Sequence, residues 1–219
     1  MRVWQRVIRP ITRYFRARRA LVVRGLFPEM ASYRICDLGG SIHFWVDSDL
    51  SEFASNVEIF NLSNDAVSSD ITDDESESFK GVRVFVYDGQ HVPRADKYYD
   101  LLVCNSVIEH VAQSQRRILI REMLRISRRI YLQTPAREFV IDPHFLMPLI
   151  HWLPKSVGYY LALISPWRLL SRPTRDTIQR YFFETNLLSR QELLAIFPEA
   201  KLLSERAIGM TKAHLAVIK

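Results

Sequence analysis

Short apolar runs, separated by polar stretches, set the pattern of the chain from residue 33 onward. The early runs are apolar at consecutive positions, which is typical of parallel strands covered on both faces. Together the runs predict strands at residues 34–38, 57–62, 82–87, 100–104, 129–133, 201–205 and 213–218. Because helical stretches alternate with these runs, we expect an α/β fold with an open, mostly parallel sheet and helices on both of its faces.

Helical signals indicate how these strands connect. Residues 113–126 have apolar positions at helical spacing and predict a crossover helix between two parallel strands. Ser189 and Glu192 form the S-x-x-E pattern of a capping box, which predicts a helix start. Only residues 208–212 separate the last two predicted strands, which is too short for a helical crossover. We therefore expect these two strands to be antiparallel.

Two stretches depart from this rhythm. Residues 65–79 are acidic and rich in serine, and they predict a solvated loop or a loose helix. Residues 136–185 show no strand signal, contain five prolines and have a very apolar middle. Because a structureless loop of that length is uncommon in a compact domain, we expect a helical cap insertion. Its apolar residues could close the site as a lid, line a pocket for an apolar substrate or touch a membrane.

Residues 1–30 form a basic amphipathic segment ahead of the main domain, which we place at residues 31–219. At about 100° per residue, the apolar side chains fall on one arc of a helix and the arginines on the opposite arc. The apolar arc holds Trp4, Val7, Ile8, Ile11, Tyr14, Phe15 and Val22. Pro10 is predicted to bend this helix or divide it. Residues 1–28 could lie on an anionic membrane surface, or the apolar arc could dock on the domain and leave the arginines solvated.

The net charge belongs to this segment. The formal charge of the protein is +6, but residues 1–34 hold nine arginines and one acidic residue, and the rest of the chain carries a charge of −2. The basic and aromatic interleaving typical of RNA-binding surfaces is missing elsewhere, so we do not expect a nucleic-acid partner.

Composition narrows the class further. The chain has 219 residues, of which 48% are hydrophobic and 25% charged, and this excludes disordered, collagen-like and disulfide-stapled proteins. Cys36 and Cys104 lie in apolar runs and are expected to be buried, reduced thiols, as suits a cytoplasmic protein. We see neither the apolar stretch of a secretory signal nor a run approaching the roughly 20 residues that span a bilayer. We expect a cytoplasmic protein, with peripheral membrane association as an option.

Polar residues and glycines follow four consecutive predicted strands. In open α/β sheets, ligands bind at the carboxyl ends of the strands, and glycine there lets the backbone approach a ligand. An acidic residue before the glycines disfavours a phosphate and suits an amine or another cationic group. Asn61 follows at the distance where a ribose hydroxyl is usually bound. The candidate cofactor-binding residues are Asp37, Leu38, Gly39, Gly40, Ser41, Asn61, Asp88, Gly89 and Asn105.

These segments resemble the class I S-adenosylmethionine-dependent methyltransferases, in particular the small bacterial type with a methyltransferase-11-like domain. ICDLGG resembles the first motif of that family, VYDGQHVP its adenine-side motif and YDLLVCNSVIEHV its fourth motif. The ending TNLLSRQELLAIFP…ERAIGMTKAHLAVIK resembles the final helix and antiparallel strand pair. The resemblance covers roughly residues 30–219. It implies a Rossmann-like sheet of seven strands in the order 3-2-1-4-5-7-6 and S-adenosylmethionine as cofactor.

The sequence departs from the family pattern at three positions. Ser41 and His43 stand where the second and third glycines of the first motif occur, and Asn61 replaces the usual acidic residue on the ribose. These departures leave open a protein that kept the fold for binding after losing turnover.

Candidate catalytic residues follow the fourth and fifth strands. His110 could act as a general base, or it could be a structural residue paired with Glu109. The segment TPAREFVIDPHF resembles one that follows the fifth strand in relatives, and it makes Thr134, Asp142 and His144 candidates for substrate contact, with His144 also a candidate base. Asp142 could instead cap a turn. The chain has no His-x-x-x-His or Cys-x-x-Cys, so we predict no metal site.

The sequence therefore predicts an S-adenosylmethionine-dependent O-methyltransferase acting on a small molecule or on a glycan, such as a lipid-linked saccharide. Two alternatives remain, a binding protein without turnover and an RNA methyltransferase. The sequence gives no oligomeric state.

Overall fold

The computed structural model describes residues 3–46, 50–62 and 81–219, with the backbone alone at residues 3–12, 43 and 46. The acidic stretch of residues 65–79, interpreted as a loop, lies outside the described residues, as does the side chain of His43.

A seven-stranded sheet forms the centre of the molecule. The strands of the described chain are β1 (Ile35–Leu38), β2 (Val57–Asn61), β3 (Arg83–Val86), β4 (Tyr99–Asn105), β5 (Ser127–Pro135), β6 (Ile141–Asp142), β7 (Met147–Pro148), β8 (Lys201–Ala207) and β9 (Met210–Ile218). The order in the sheet is β3-β2-β1-β4-β5-β9-β8, and β6 pairs with β7 in a separate ribbon. Pairs from β3 to β5 are parallel, whereas β9 is antiparallel to both β5 and β8. The predicted order 3-2-1-4-5-7-6 is confirmed, with β8 and β9 as its sixth and seventh strands.

A two-residue turn joins β8 to β9 at the antiparallel end of the sheet. Ile208 and Gly209 both have positive φ, 47° and 77°, which is the backbone geometry of a tight hairpin turn. The predicted connection of residues 208–212 is therefore shorter in the structure, because β9 already begins at Met210.

Helices cover both faces of the sheet. They are α1 (Val3–Leu26), α2 (Ile42–Val46), α3 (Arg116–Ile126), α4 (Lys155–Ala162), α5 (Pro166–Ser171), α6 (Arg175–Glu184) and α7 (Arg190–Ile196), with 3-10 helices at Met30–Ser32, Ser51–Asn56, Ile108–His110 and Ile150–Trp152. The predicted crossover helix is α3. The capping box at the start of α7 is confirmed, since the Ser189 hydroxyl accepts from the Glu192 amide and the Glu192 carboxylate accepts from the Ser189 amide.

Two apolar layers hold the sheet. One layer joins α3 and α7 to residues of β1, β4 and β5, and it includes the buried free thiols of Cys36 and Cys104. Burial raises the pKa of both thiols, which keeps them protonated. The other layer joins α1 and α2 to the opposite sheet face. The consecutive apolar positions of the early strands are explained by this two-sided cover.

Helix α1 packs on the domain through Ala20 and Val23, which are fully buried against the sheet. The side chains of the apolar arc are described only at Tyr14 and Val22, which are 57% and 38% exposed, and at Phe15, which is partly buried with Nζ of Lys212 over its ring. The helix runs through Pro10 without a break, so of the two predicted effects of this proline, a bend or a division, the division does not occur. One missing backbone donor removes a single hydrogen bond, and a helix of 24 residues continues on either side of it.

The cap consists of the β6–β7 ribbon and helices α4 to α6, with a small core of its own. This core contains Phe145, Ile150, Ala162, Ile178 and Phe182. The cap also leaves apolar side chains in solvent, including Trp152, Val157, Tyr160, Ile164 and Leu169. Among the described helices, none combines the length and apolar character that crossing a bilayer requires.

Candidate functional site

A tight glycine turn follows β1 at the carboxyl edge of the sheet. Gly39 has a φ of +70°, and a Cβ on it would lie 2.6 Å from Cγ2 of Val107. A Cβ on Gly40 would lie 1.8 Å from Oδ2 of Asp37. Both positions therefore require glycine, the first for its backbone conformation and the second because the Asp37 carboxylate lies against it.

Asp37 is a fully buried carboxylate that is satisfied on one side only. Its Oδ2 accepts a 2.7 Å hydrogen bond from Nε1 of Trp45, while Oδ1 is buried and has no partner among the described residues. Burial raises the pKa of Asp37 to about 7, against the opposing effect of the Trp45 hydrogen bond. A buried acceptor in this state is suited to a cationic donor supplied by a ligand.

The ends of β2 and β4 add polar groups beside this turn. The Asn61 side-chain amide donates a 3.2 Å hydrogen bond to the carbonyl of Gly40, which ties β2 to the turn and leaves the Asn61 side-chain carbonyl as an acceptor. Asn105 lies next to the turn because the register pairs Asp37 with Val103. Both polar atoms of the Asn105 side chain are buried without a partner in the described part of the chain.

The remaining candidate cofactor residues contribute in other ways. The side chain of Leu38 is buried in the apolar layer below the sheet, so only its backbone faces the turn. Ser41 directly precedes α2. Asp88 is exposed beyond β3, where one carboxylate oxygen accepts from the backbone amides of Gln90 and His91. These hydrogen bonds lower the pKa of Asp88, and the one from the His91 amide has the largest effect. Gly89, the next residue, has a φ of +80°.

A second cluster lies immediately after β4. The 3-10 helix Ile108–His110 brings Glu109 and His110 together with His144 of the cap, and one ligand atom of each lies within 4.8 Å of the others. We call these three residues the Glu-His-His cluster. The rings of His110 and His144 meet edge to face with centroids 5.0 Å apart, and Tyr181 of α6 lies beside both. The cap thus supplies two of the side chains at this point.

Thr134 and Asp142 support the Glu-His-His cluster. Thr134 Oγ1 donates a 2.9 Å hydrogen bond to Oε2 of Glu109. Asp142 Oδ1 accepts from the backbone amides of His144 and Phe145, so it caps that turn, and it also lies 3.5 Å from Nδ1 of His144. The residues that the sequence singled out after β4 and β5 therefore come together in space.

The two histidines differ in their electrostatic surroundings. Burial, followed by the nearby His144, lowers the pKa of His110 to about 4, so its ring is neutral at pH 7. Burial also disfavours charge on His144, but Asp142 and Glu109 outweigh it and raise the pKa of His144. Burial raises the pKa of Glu109, although His144 opposes this.

Sequence reasoning missed three contacts at the site. Trp45 was not a candidate, and nothing in IHFWV indicates that its indole turns toward Asp37. Glu109 was weighed only as a structural partner. Arg19 of α1 donates a 2.8 Å hydrogen bond to Oε1 of Gln133, an oxygen that also accepts from Ser106, so the amino-terminal helix reaches the carboxyl end of β5.

A cavity of about 270 Å³ lies beside the cluster, between α3 and the cap. Asp142, which lies 3.5 Å from His144 of the cluster, also lines this cavity, together with other polar residues that include Arg116, Arg137, His151 and Glu192.

Comparison with known proteins finds one family model that matches part of the chain. Residues 39–129 match the family model described as a methyltransferase domain. Compared by sequence with curated proteins, the chain has no significant match.

Solved structures share the fold at low sequence identity. Magnesium protoporphyrin IX methyltransferase from Synechocystis PCC 6803 with bound S-adenosylhomocysteine is 13% identical with a TM-score of 0.60, over 100% of this chain and 89% of that one. The PH0226 protein from Pyrococcus horikoshii OT3 is also 13% identical with a TM-score of 0.56, over 93% and 89% of the two chains.

Proposed function

We propose that this chain is a class I S-adenosylmethionine-dependent methyltransferase and that it methylates an oxygen atom of a small molecule or glycan. The Glu-His-His cluster carries this proposal. The three side chains of the cluster lie at the carboxyl edge of the sheet. Two of them belong to the 3-10 helix that comes shortly after the strand-end residues flanking the glycine turn. A hydroxyl must lose its proton before or during methyl transfer, so an oxygen acceptor needs polar residues beside it.

The residues around the glycine turn fit S-adenosylmethionine, which supplies a methyl group on a positively charged sulfur. Asp37 Oδ1, a buried acceptor lacking a partner in the described chain, suits the cationic amino group of the cofactor. Because Gly39 and Gly40 have no side chains, the cofactor can approach the backbone of the turn closely. In this proposal the Asn61 carbonyl accepts from a ribose hydroxyl, and Asp88-Gly89 and Asn105 lie on the adenine and methionine sides.

His110 and His144 are the proposed catalytic residues, because their rings border the space where the acceptor oxygen would lie. Both rings can bind the acceptor hydroxyl, His110 as a neutral ring and His144 as a donor held by Asp142. Thr134 and Asp142 hold Glu109 and His144 in place. The cap contributes to this site through His144 and through Tyr181, whose ring lies beside both histidines.

Membrane association is a separate proposal, supported by exposed apolar residues next to basic ones. Tyr14, Leu21 and Val22 of α1 are exposed, and α1 packs beside α5 of the cap, where Leu169 is 65% exposed. The nine arginines of residues 1–34 favour an anionic surface. A protein bound to an anionic membrane surface would be placed to reach a lipid-linked saccharide.

Methyl transfer from radiolabelled S-adenosylmethionine to fractions of a cell extract tests the proposed activity. We expect label in a small-molecule or glycan fraction, and its loss with His110→Ala combined with His144→Ala. Label confined to RNA would support the RNA methyltransferase alternative, whose binding would also fall steeply with salt. Transfer to no fraction, with cofactor still bound, would support a binding protein without turnover.

A further inference from the structure

We propose that the Glu-His-His cluster binds a divalent transition-metal ion, whose open coordination positions hold the acceptor oxygen. The place of the acceptor rests on the proposed function, whereas binding of the ion does not. The ligands would be one carboxylate oxygen of Glu109 and one ring nitrogen each from His110 and His144. This site differs from the expectation, drawn from residue spacing, that the chain has no metal site.

The distances permit such a site. The three ligand atoms lie within 4.8 Å of one another. Ions of this class lie about 2.0–2.2 Å from nitrogen and oxygen ligands, so bound ligand atoms are roughly 3–4 Å apart. Side-chain rotations that shift the ligand atoms by about 1 Å would therefore complete the site, and the sheet would not have to move.

Glu109 points independently to a missing cation. It is fully buried, its Oε2 takes the Thr134 hydrogen bond, and its Oε1 has no hydrogen-bond partner within the described ranges. Arg116, the guanidinium whose charge acts on Glu109, donates its hydrogen bonds to the carbonyls of Val111 and Asn186. Burial of a carboxylate is costly unless a cation or donors satisfy it.

The ring of each histidine keeps a nitrogen free for an ion. Nδ1 of His110 lies 3.2 Å from the Thr185 hydroxyl. Metal-binding histidines commonly use the nitrogen that does not bind the metal in this way, which fixes the ring orientation and leaves the other nitrogen for the ion. Nδ1 of His144 is buried 3.5 Å from Oδ1 of Asp142 and has no hydrogen-bond partner among the described residues.

The ligand set selects the class of ion. Two imidazoles and one carboxylate suit Mn²⁺, Fe²⁺, Co²⁺ or Zn²⁺ better than Mg²⁺ or Ca²⁺, which prefer oxygen ligands throughout. Three protein ligands also leave coordination positions open, as catalytic sites require.

An ion here would activate the acceptor directly. It would lower the pKa of a bound hydroxyl, whose proton would pass to water. The oxygen lone pair would then form the bond to the methyl carbon, while the carbon–sulfur bond breaks and leaves its electron pair on sulfur. Both histidines then serve as ligands, and neither has to accept the proton.

The test uses the full-length protein, stripped with a chelator and titrated with Co²⁺ or Mn²⁺. We expect one ion per chain, a Co²⁺ visible spectrum with nitrogen ligation, and at least a tenfold loss of affinity in both Glu109→Gln and His144→Ala. The matched control is His91→Gln, because His91 is an exposed histidine whose contacts are with Glu122 and Arg125, and this variant should bind as the wild type does.

Thermal melting and binding of S-adenosylhomocysteine show whether each variant is folded. If a folded Glu109→Gln protein binds Co²⁺ as the wild type does, or if the wild type takes up no ion at millimolar concentration, the metal site is refuted. Methyl transfer that persists in excess chelator would refute activation of the acceptor by the ion and leave the proposed function intact. Ion binding without methyl transfer to any acceptor would support the metal site and refute the proposed function.

Discussion

The indole nitrogen of Trp45 and the carboxylate of Asp37 form a buried 2.7 Å hydrogen bond beneath the glycine turn. This contact satisfies one oxygen of Asp37 and orients the other, which has no partner among the residues described. The site is therefore organised before a ligand arrives, but it carries an electrostatic cost that a cationic ligand would offset.

That cost predicts a pH dependence of stability. The pKa of Asp37 is raised from 3.8 to about 7 by burial, so the folded state holds a proton that the unfolded state releases. The protonated Asp37 carboxyl contributes to the free energy of unfolding, and this contribution is fully present below pH 4. It is lost as the pH rises toward 7, and the loss reaches about 4 kcal/mol. Urea unfolding of ligand-free protein should show this loss relative to Asp37→Asn. Parallel curves for the two proteins between pH 4 and 7 would contradict it.

Cofactor affinity should change with pH in the opposite direction. If the cofactor amino group pairs with ionised Asp37, whose pKa is about 7, binding takes up the ionised form, and affinity for S-adenosylhomocysteine should fall by about fivefold from pH 7 to pH 6. Equilibrium dialysis measures this directly. Asp37→Asn should bind more weakly and without this dependence, and an equal slope in both proteins would argue against the pairing.

Gly40→Ala should weaken cofactor binding strongly with little effect on the sheet. The new Cβ would overlap the Asp37 carboxylate, which cannot move without breaking its hydrogen bond to Trp45. We expect at least a tenfold loss of affinity. Gly25→Ala is the matched control, because no described atom lies within 4 Å of its Cβ position in α1, and it should stabilise the helix by about 0.5–1 kcal/mol. Normal binding by Gly40→Ala would show that the turn does not hold the cofactor.

Membrane association can be tested by flotation with anionic and neutral liposomes. We expect the protein to float with anionic vesicles only, and Tyr14→Glu combined with Val22→Glu to remain in the soluble fraction, because both side chains are exposed on α1. Leu194→Glu is the control, since Leu194 is exposed on α7 at the other sheet face. If the wild type does not float, the proposed membrane surface is wrong, and the proposed methyltransferase activity is not affected by this result.

The sheet could be predicted from the sequence because its signals are local. Strands buried on both faces read as continuous apolar runs, and a short connection forces an antiparallel pair. The residues at the strand ends could also be predicted, because the carboxyl ends of parallel strands meet at one edge.

Contacts between elements could not be predicted in the same way. The pairing of Trp45 with Asp37, the reach of Arg19 to Gln133 and the meeting of Glu109 with His144 all depend on side-chain direction after packing. The contact of α1 with the sheet depends on packing in the same way, because the small residue Ala20 and Val23 are buried there, whereas Tyr14 is exposed.

Calorimetric titration with S-adenosylhomocysteine shows whether Asp37 and the glycine turn form a cofactor site. We expect one binding site per chain with a dissociation constant below about 100 μM, and a loss of affinity of at least tenfold in Asp37→Ala. Absence of binding at millimolar ligand, or equal binding by wild type and Asp37→Ala, would contradict it.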